Sequence, residues 1–231
     1  MVLLAVIPLL LAASDDTWRQ VAAHDVAFAK GLASQQVRYG SDFEQVVQGR
    51  VARCRKIDGK VTELDAATLR QIDLFCEHLC MPWVDAWAAA LAPCESEPVP
   101  SWCDDRSELD RHIGFGPYFE VLASAVRDAS DPLERYNIMA VIADRLDHSL
   151  TRDYPYRALD HGVGLVLMEY MRSASIDETL SVARLLYSSA SFGRRSEVAR
   201  QLRTYAAAST TLSAAQRKEL EECARSVAEK P

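Results

Sequence analysis

Four of the six cysteines fall within a short part of this 231-residue chain, and their spacing limits the chemistry available to them. They are Cys76, Cys80, Cys94 and Cys103. The gaps of three, thirteen and eight residues between them differ from the paired C-x2-C spacing of common zinc sites. Cys76 and Cys80 would lie one turn apart on a helix, which does not give good disulfide geometry. We therefore predict that Cys94 and Cys103 form disulfides with these two preceding cysteines.

The other two cysteines, Cys54 and Cys223, lie on the apolar faces of predicted helices. Two alternatives stay open for them, a disulfide with each other or buried thiols that pack as small apolar side chains. An even number of cysteines favours disulfides where the chain is exported.

The N-terminus has the composition of a secretory signal. Residues 2–13 are apolar and uncharged, too few to cross a bilayer as a helix, and residues 12–14 are small enough for cleavage. No Lys or Arg precedes this run, so a buried N-terminal helix is the alternative. We predict a signal peptide over residues 1–14, a single all-α domain over residues 15–231, and a periplasmic or extracellular protein without a stable membrane anchor.

The cysteine cluster overlaps the most acidic part of the chain. Residues 71–105 contain seven acidic side chains and no Lys or Arg, which matches the net charge of −7 of the whole chain. Three of the four tryptophans lie there, and tryptophan often anchors protein interfaces. We predict a recognition surface for a protein partner that carries a basic surface. Its predicted residues are Trp83, Trp87, Trp102, Glu95, Glu97, Asp104 and Asp105.

Two alternatives compete with this recognition surface. Residues 184–218 contain seven basic side chains and one acidic side chain, so the acidic stretch would instead dock on this basic segment within the molecule. Alternatively, Trp83 and Trp87 are core residues and the acidic side chains are merely solvated. An isoelectric point near 5.3 and the export signal argue against a nucleic-acid partner.

No motif indicates a catalytic, cofactor or metal site. The chain has no H-E-x-x-H, no G-x-S-x-G and no phosphate-binding glycine loop. The leading prediction is an exported, non-catalytic helical protein that binds another macromolecule, of the immunity, inhibitor or envelope-adaptor type. One alternative is a carrier of an apolar small ligand held between helices and bordered by the three tryptophans. The other is a secreted hydrolase whose site is not visible in the sequence.

Helical periodicity recurs along the chain, and strand-like alternation is nearly absent. The pattern predicts an all-α fold of about nine helices, stapled by disulfides, with an acidic half (residues 15–105) and a regular helical half (residues 106–231). Starts are expected at Asp131-Pro132 and at the capping boxes Ser175–Glu178 and Ser213–Gln216. Alternate predicted starts lie 36–44 residues apart, which falls within the period of roughly 34–47 residues of HEAT and tetratricopeptide repeats. An antiparallel helix-pair array and an irregular arrangement therefore both remain open.

Overall fold

The computed structural model describes residues 7–34, 36–39, 81–95, 97–147, 157–188 and 192–229, and every regular element in these ranges is helical. The α-helices of this part, numbered in chain order, are α1 (Ile7–Ser34), α2 (Met81–Leu91), α3 (Arg106–Ile113), α4 (Gly116–Asp128), α5 (Pro132–Asp147), α6 (Arg157–Ser173), α7 (Ile176–Ser188), α8 (Phe192–Ala208) and α9 (Ala214–Glu229). Two short 3-10 helices, Ala92–Glu95 and Ser101–Cys103, lie between α2 and α3. The predicted all-α class is confirmed.

Helices α7 and α9 begin at the two predicted capping boxes. The Ser175 hydroxyl accepts the backbone N–H of Glu178 at 3.3 Å, and the Glu178 carboxylate accepts the backbone N–H of Ser175 at 2.6 Å. Ser213 and Gln216 form the same reciprocal pair at 3.2 and 2.9 Å. These bonds satisfy N–H groups that the first turn of a helix leaves unpaired.

Helix α5 begins as predicted, at an aspartate followed by proline. The Asp131 carboxylate accepts the backbone N–H of Leu133 at 2.9 Å, and Pro132 occupies the first helical position. Proline has no N–H that would stay unpaired at this position. Asp131 and Pro132 together therefore define the start of the helix.

The order in which the helices pack differs from a stack of helix pairs. Helix α1 contacts α2, α4 and α5, and α6 contacts both α4 and α8. In a helical repeat each unit contacts only its neighbours in the chain. A repeat of the HEAT or tetratricopeptide kind is therefore not confirmed, and the contacts are those of an irregular helical arrangement.

The core lies where the predicted apolar faces of α1 and α6 meet the other helices. On α1 the buried residues include Trp18, Ala22 and Ala29. Helix α6 lies against α4 closely enough that a Cβ at position 162 would overlap the Phe119 ring, so Gly162 permits this packing. Close packing of this kind requires the smallest side chain at the contact point.

A polar cluster crosses this core. The Arg145 guanidinium of α5 donates two hydrogen bonds to the Asp25 carboxylate of α1, at 3.1 and 2.5 Å, and the Tyr118 hydroxyl of α4 donates a third at 2.7 Å. Burial raises the pKa of Asp25 above its ordinary value, although both partners act in the opposite direction. A buried charge is tolerated only when it is paired and hydrogen-bonded, and this carboxylate has three donors.

Candidate interaction surface

A disulfide joins Cys94 to Cys103 and closes a short loop between α2 and α3, with the two Cα atoms 5.6 Å apart. The prediction that each would pair with a cysteine of the preceding helix is wrong. Cys94 and Cys103 lie in the two 3-10 helices and pair with each other. Cys54, Cys76 and Cys80 lie outside the described residues.

The described part of α9 places Cys223 as a free, half-buried thiol. Of the two alternatives for this residue, the unpaired thiol is therefore the one observed. Burial raises its pKa, with the nearby Arg184 acting in the opposite direction.

The closed loop presents carboxylates to solvent. Glu95, Glu97 and Asp104 are exposed, and no ion pair joins any of them to another of the described residues. Asp105 is also exposed, but its carboxylate accepts the backbone N–H of Glu108 at 3.3 Å and so caps α3. Three of the four predicted acidic residues therefore lie at the surface without an ion-pair partner in the described part of the chain, and the fourth caps the helix that follows the loop.

The same loop exposes one apolar side chain. Val99 is 53% exposed and stands between Pro98 and Pro100. Pro100 has an extended backbone (φ −61°, ψ 140°), and its carbonyl accepts the backbone N–H of Cys103 at 3.1 Å. Two prolines and the disulfide restrict the backbone, so Val99 is held outward without much loss of conformational entropy on binding.

Trp83 and Trp87 belong to the core, which corrects the prediction that they anchor a partner at the surface. Each is 1% exposed. Their ring centroids lie 5.3 and 6.4 Å from that of Trp18 on α1. The two rings share one face of α2, and that face packs against α1, where burying large aromatic rings removes much apolar area from water.

Trp102 occupies an intermediate position. It is half-buried, and its ring centroid lies 4.1 Å from that of His112 on α3. This contact fixes the end of the loop to the neighbouring helix. Trp102 thus supports the loop and is only partly accessible, rather than being a free anchor.

The basic segment makes its described ion pairs within its own helices. Arg200 pairs with Glu197, and Lys218 lies 3.7 Å from Glu222. The loop rests on α2 and α3, whereas α8 and α9 pack against each other. Internal docking of the acidic stretch on residues 184–218 therefore receives no support from the described contacts.

A groove of about 480 Å³ lies between α7 and α9. Its lining combines apolar and charged side chains: Leu180, Arg184, Glu219, Glu222, Cys223, Ser226 and Val227. The three tryptophans of the predicted carrier site are absent from this lining, so the groove differs from the ligand site that the carrier alternative requires.

Nothing in the described part has the arrangement of a catalytic centre. The Asp25–Arg145–Tyr118 cluster contains strongly interacting titratable groups, but each is at most 2% exposed and no substrate reaches it. Among the described residues, no three His, Cys, Asp or Glu side chains converge as metal ligands would. Within the same part, no helix combines the length and the apolar character needed to cross a membrane.

Comparisons with protein-family models, with curated proteins and with solved structures found no match. The features of the surface therefore carry the functional conclusion by themselves.

Sequence reasoning missed two features of this surface. The exposure of Val99 could have been predicted from the sequence. An apolar residue between two prolines in a polar loop does not belong to a helix or strand that could bury it. The α7–α9 groove had no such signal, since its lining comes from two helices that meet only in the folded chain.

Proposed function

We propose that the protein is an exported, non-catalytic binding protein in which residues 94–105, the disulfide-closed loop Cys94–Cys103 and the two aspartates after it, recognise a basic surface on another protein. The observation that carries this proposal is the exposure of Glu95 and Glu97 on the disulfide-closed loop and of Asp104 directly after it, in a stretch (residues 81–105) that contains no Lys or Arg. A disulfide is the expected form of two neighbouring cysteines in an oxidising compartment, which supports the export proposed from residues 1–14.

The energetics assign different roles to the charges and to Val99. Exposed ion pairs contribute only about 0–1 kcal/mol each, so three carboxylates give modest affinity. A surface whose charges all have the same sign mainly increases the association rate with an oppositely charged partner. This effect becomes smaller as the salt concentration rises. Val99 would add a small apolar contact from a backbone that the two prolines and the disulfide already restrict.

The test is the association rate of a partner with two variants of equal charge. Reversal of the loop, E95K/E97K, is compared with D16K/E221K, which reverses two exposed carboxylates elsewhere. The partner is captured from an extract of the native compartment, identified by mass spectrometry, purified, and measured by surface plasmon resonance at several salt concentrations.

The loop reversal should slow association several-fold and flatten its salt dependence, whereas the control should have little effect. Equal effects of the two variants would show that only the net charge matters. That result would remove the loop from the proposed function.

A further inference from the structure

The groove between α7 and α9 offers apolar side chains and the exposed Arg184, and the loop closed by Cys94 and Cys103 offers the exposed Val99 and two carboxylates. We propose that this groove receives the 94–103 loop of a second copy of the same chain. The inference goes beyond recognition of a foreign partner, because both contacting surfaces are present on this one protein.

The apolar part of the fit joins one projecting side chain to one concave surface. Val99 is one of two large apolar side chains that are strongly exposed in the described part of the chain. The groove has Leu180 and Val227 at its base and the half-buried Cys223 beside them. Seating Val99 there removes apolar surface of both copies from water.

The charges at the groove determine how the loop is oriented. Arg184 on α7 is exposed and forms no ion pair with another described residue, whereas Glu219 and Glu222 lie on α9 at the opposite wall. Glu95 and Glu97 of the incoming loop are therefore expected to face Arg184 and to avoid the α9 wall. Like charges placed together would oppose docking in the reversed orientation.

The contact has to form between molecules. In the single chain the loop rests on α2 and α3, Val99 stays exposed, and the groove is formed by other helices. Loop and groove are different patches, so two copies either exchange both contacts around a two-fold axis or form one contact head to tail. Each copy carries a net charge of −7, so repulsion opposes the contact at low salt, where screening extends about 30 Å at 0.01 M. At physiological ionic strength screening falls to about 8 Å and the local contact dominates.

The native groove cysteine provides the experiment. A Val99→Cys variant of the full chain, mildly oxidised near physiological ionic strength, should form a disulfide between Cys at position 99 of one copy and Cys223 of the other. Leu165→Cys, the other strongly exposed apolar position, is the matched control. Peptide mapping of the cross-linked species identifies which cysteines are joined. The 99–223 link should form at least several-fold faster than any 165–223 link and disappear in V99C/C223S.

A charge exchange then separates docking from random collision. R184E in the V99C background should slow formation of the 99–223 link several-fold, and the further change E95R/E97R should restore it. Equal cross-linking of V99C and L165C, or no effect of R184E, would overturn the inference. Either result leaves the proposed function untouched, because this experiment contains no foreign partner.

Discussion

Arg145 and Asp25 form a bidentate ion pair inside the core, although 120 residues separate them in the sequence. The same guanidinium lies over the ring of Trp83, with its central carbon 5.3 Å from the ring centroid. Trp83 belongs to α2, the helix that leads into the disulfide-closed loop. The buried side chain of Arg145 therefore connects α2, which leads into the proposed recognition loop, to α1 and α5.

Replacing one partner of the Asp25–Arg145 pair should destabilise the protein more than replacing both partners. We expect R145M to lower the free energy of unfolding by about 3–5 kcal/mol, because it leaves the Asp25 carboxylate buried without its counter-ion. The double variant D25L/R145M should recover part of this loss, since two apolar side chains need no pairing. Urea unfolding followed by circular dichroism measures all three proteins. Equal losses in the single and double variants would contradict this account.

Two equally buried tryptophans should respond differently to replacement by phenylalanine. The indole N–H of Trp18 donates to the carbonyl of Ile113 at 2.6 Å, at the end of α3, whereas that of Trp83 has no hydrogen-bond partner among the described residues. W18F strands a buried carbonyl and should cost about 1–3 kcal/mol more than W83F. Thermal and urea unfolding of the two variants measure the difference. Equal costs for W83F and W18F would contradict this account.

The capping box of α7 should weaken at acid pH. Hydrogen bonds from Ser175 lower the pKa of Glu178 below its ordinary value of 4.5. A carboxylate with a lowered folded-state pKa stabilises the fold above its unfolded-state pKa, and this stabilisation is lost as the pH falls through the folded value. The difference in unfolding free energy between wild type and E178Q should therefore shrink on acidification from pH 7 to about pH 3.

The capping box of α9 is the control for that titration. It uses the neutral Gln216, so the cost of S213A, about 0.5–2 kcal/mol, should not vary with pH for this reason. A pH-independent effect of E178Q would show that its charge contributes nothing to the cap.

Two helical glycines should respond to alanine with opposite signs. A Cβ at Gly162 would overlap the Phe119 ring, so G162A should destabilise the protein by about 1–3 kcal/mol. A Cβ at Gly31 of α1 meets nothing within 4 Å, and alanine favours a helix over glycine by up to about 1 kcal/mol. G31A should therefore be neutral or stabilising. Unfolding transitions measure both variants, and a G162A variant as stable as the wild type would rule out the close approach of α4 and α6.

Local features were predictable because their causes lie within a few residues. The capping boxes at Ser175 and Ser213 join residues three apart, and the start of α5 depends on the adjacent pair Asp131-Pro132. The periodicity that marks Trp18 as a core residue also lies within one helix. The sequence by itself therefore determined the helical class, several helix starts and which side chains share a face.

Only the tertiary structure decided what each face meets. Their spacing places Trp83 and Trp87 on the same face of α2 whether that face is buried or exposed. Only the packing of α2 against α1 buries it. The sequence left Cys94 with several possible partners, and only the folded chain shows that it joins Cys103. The pairing of Asp25 with Arg145 leaves no periodic signal, because the distance between two side chains 120 residues apart depends on every helix between them.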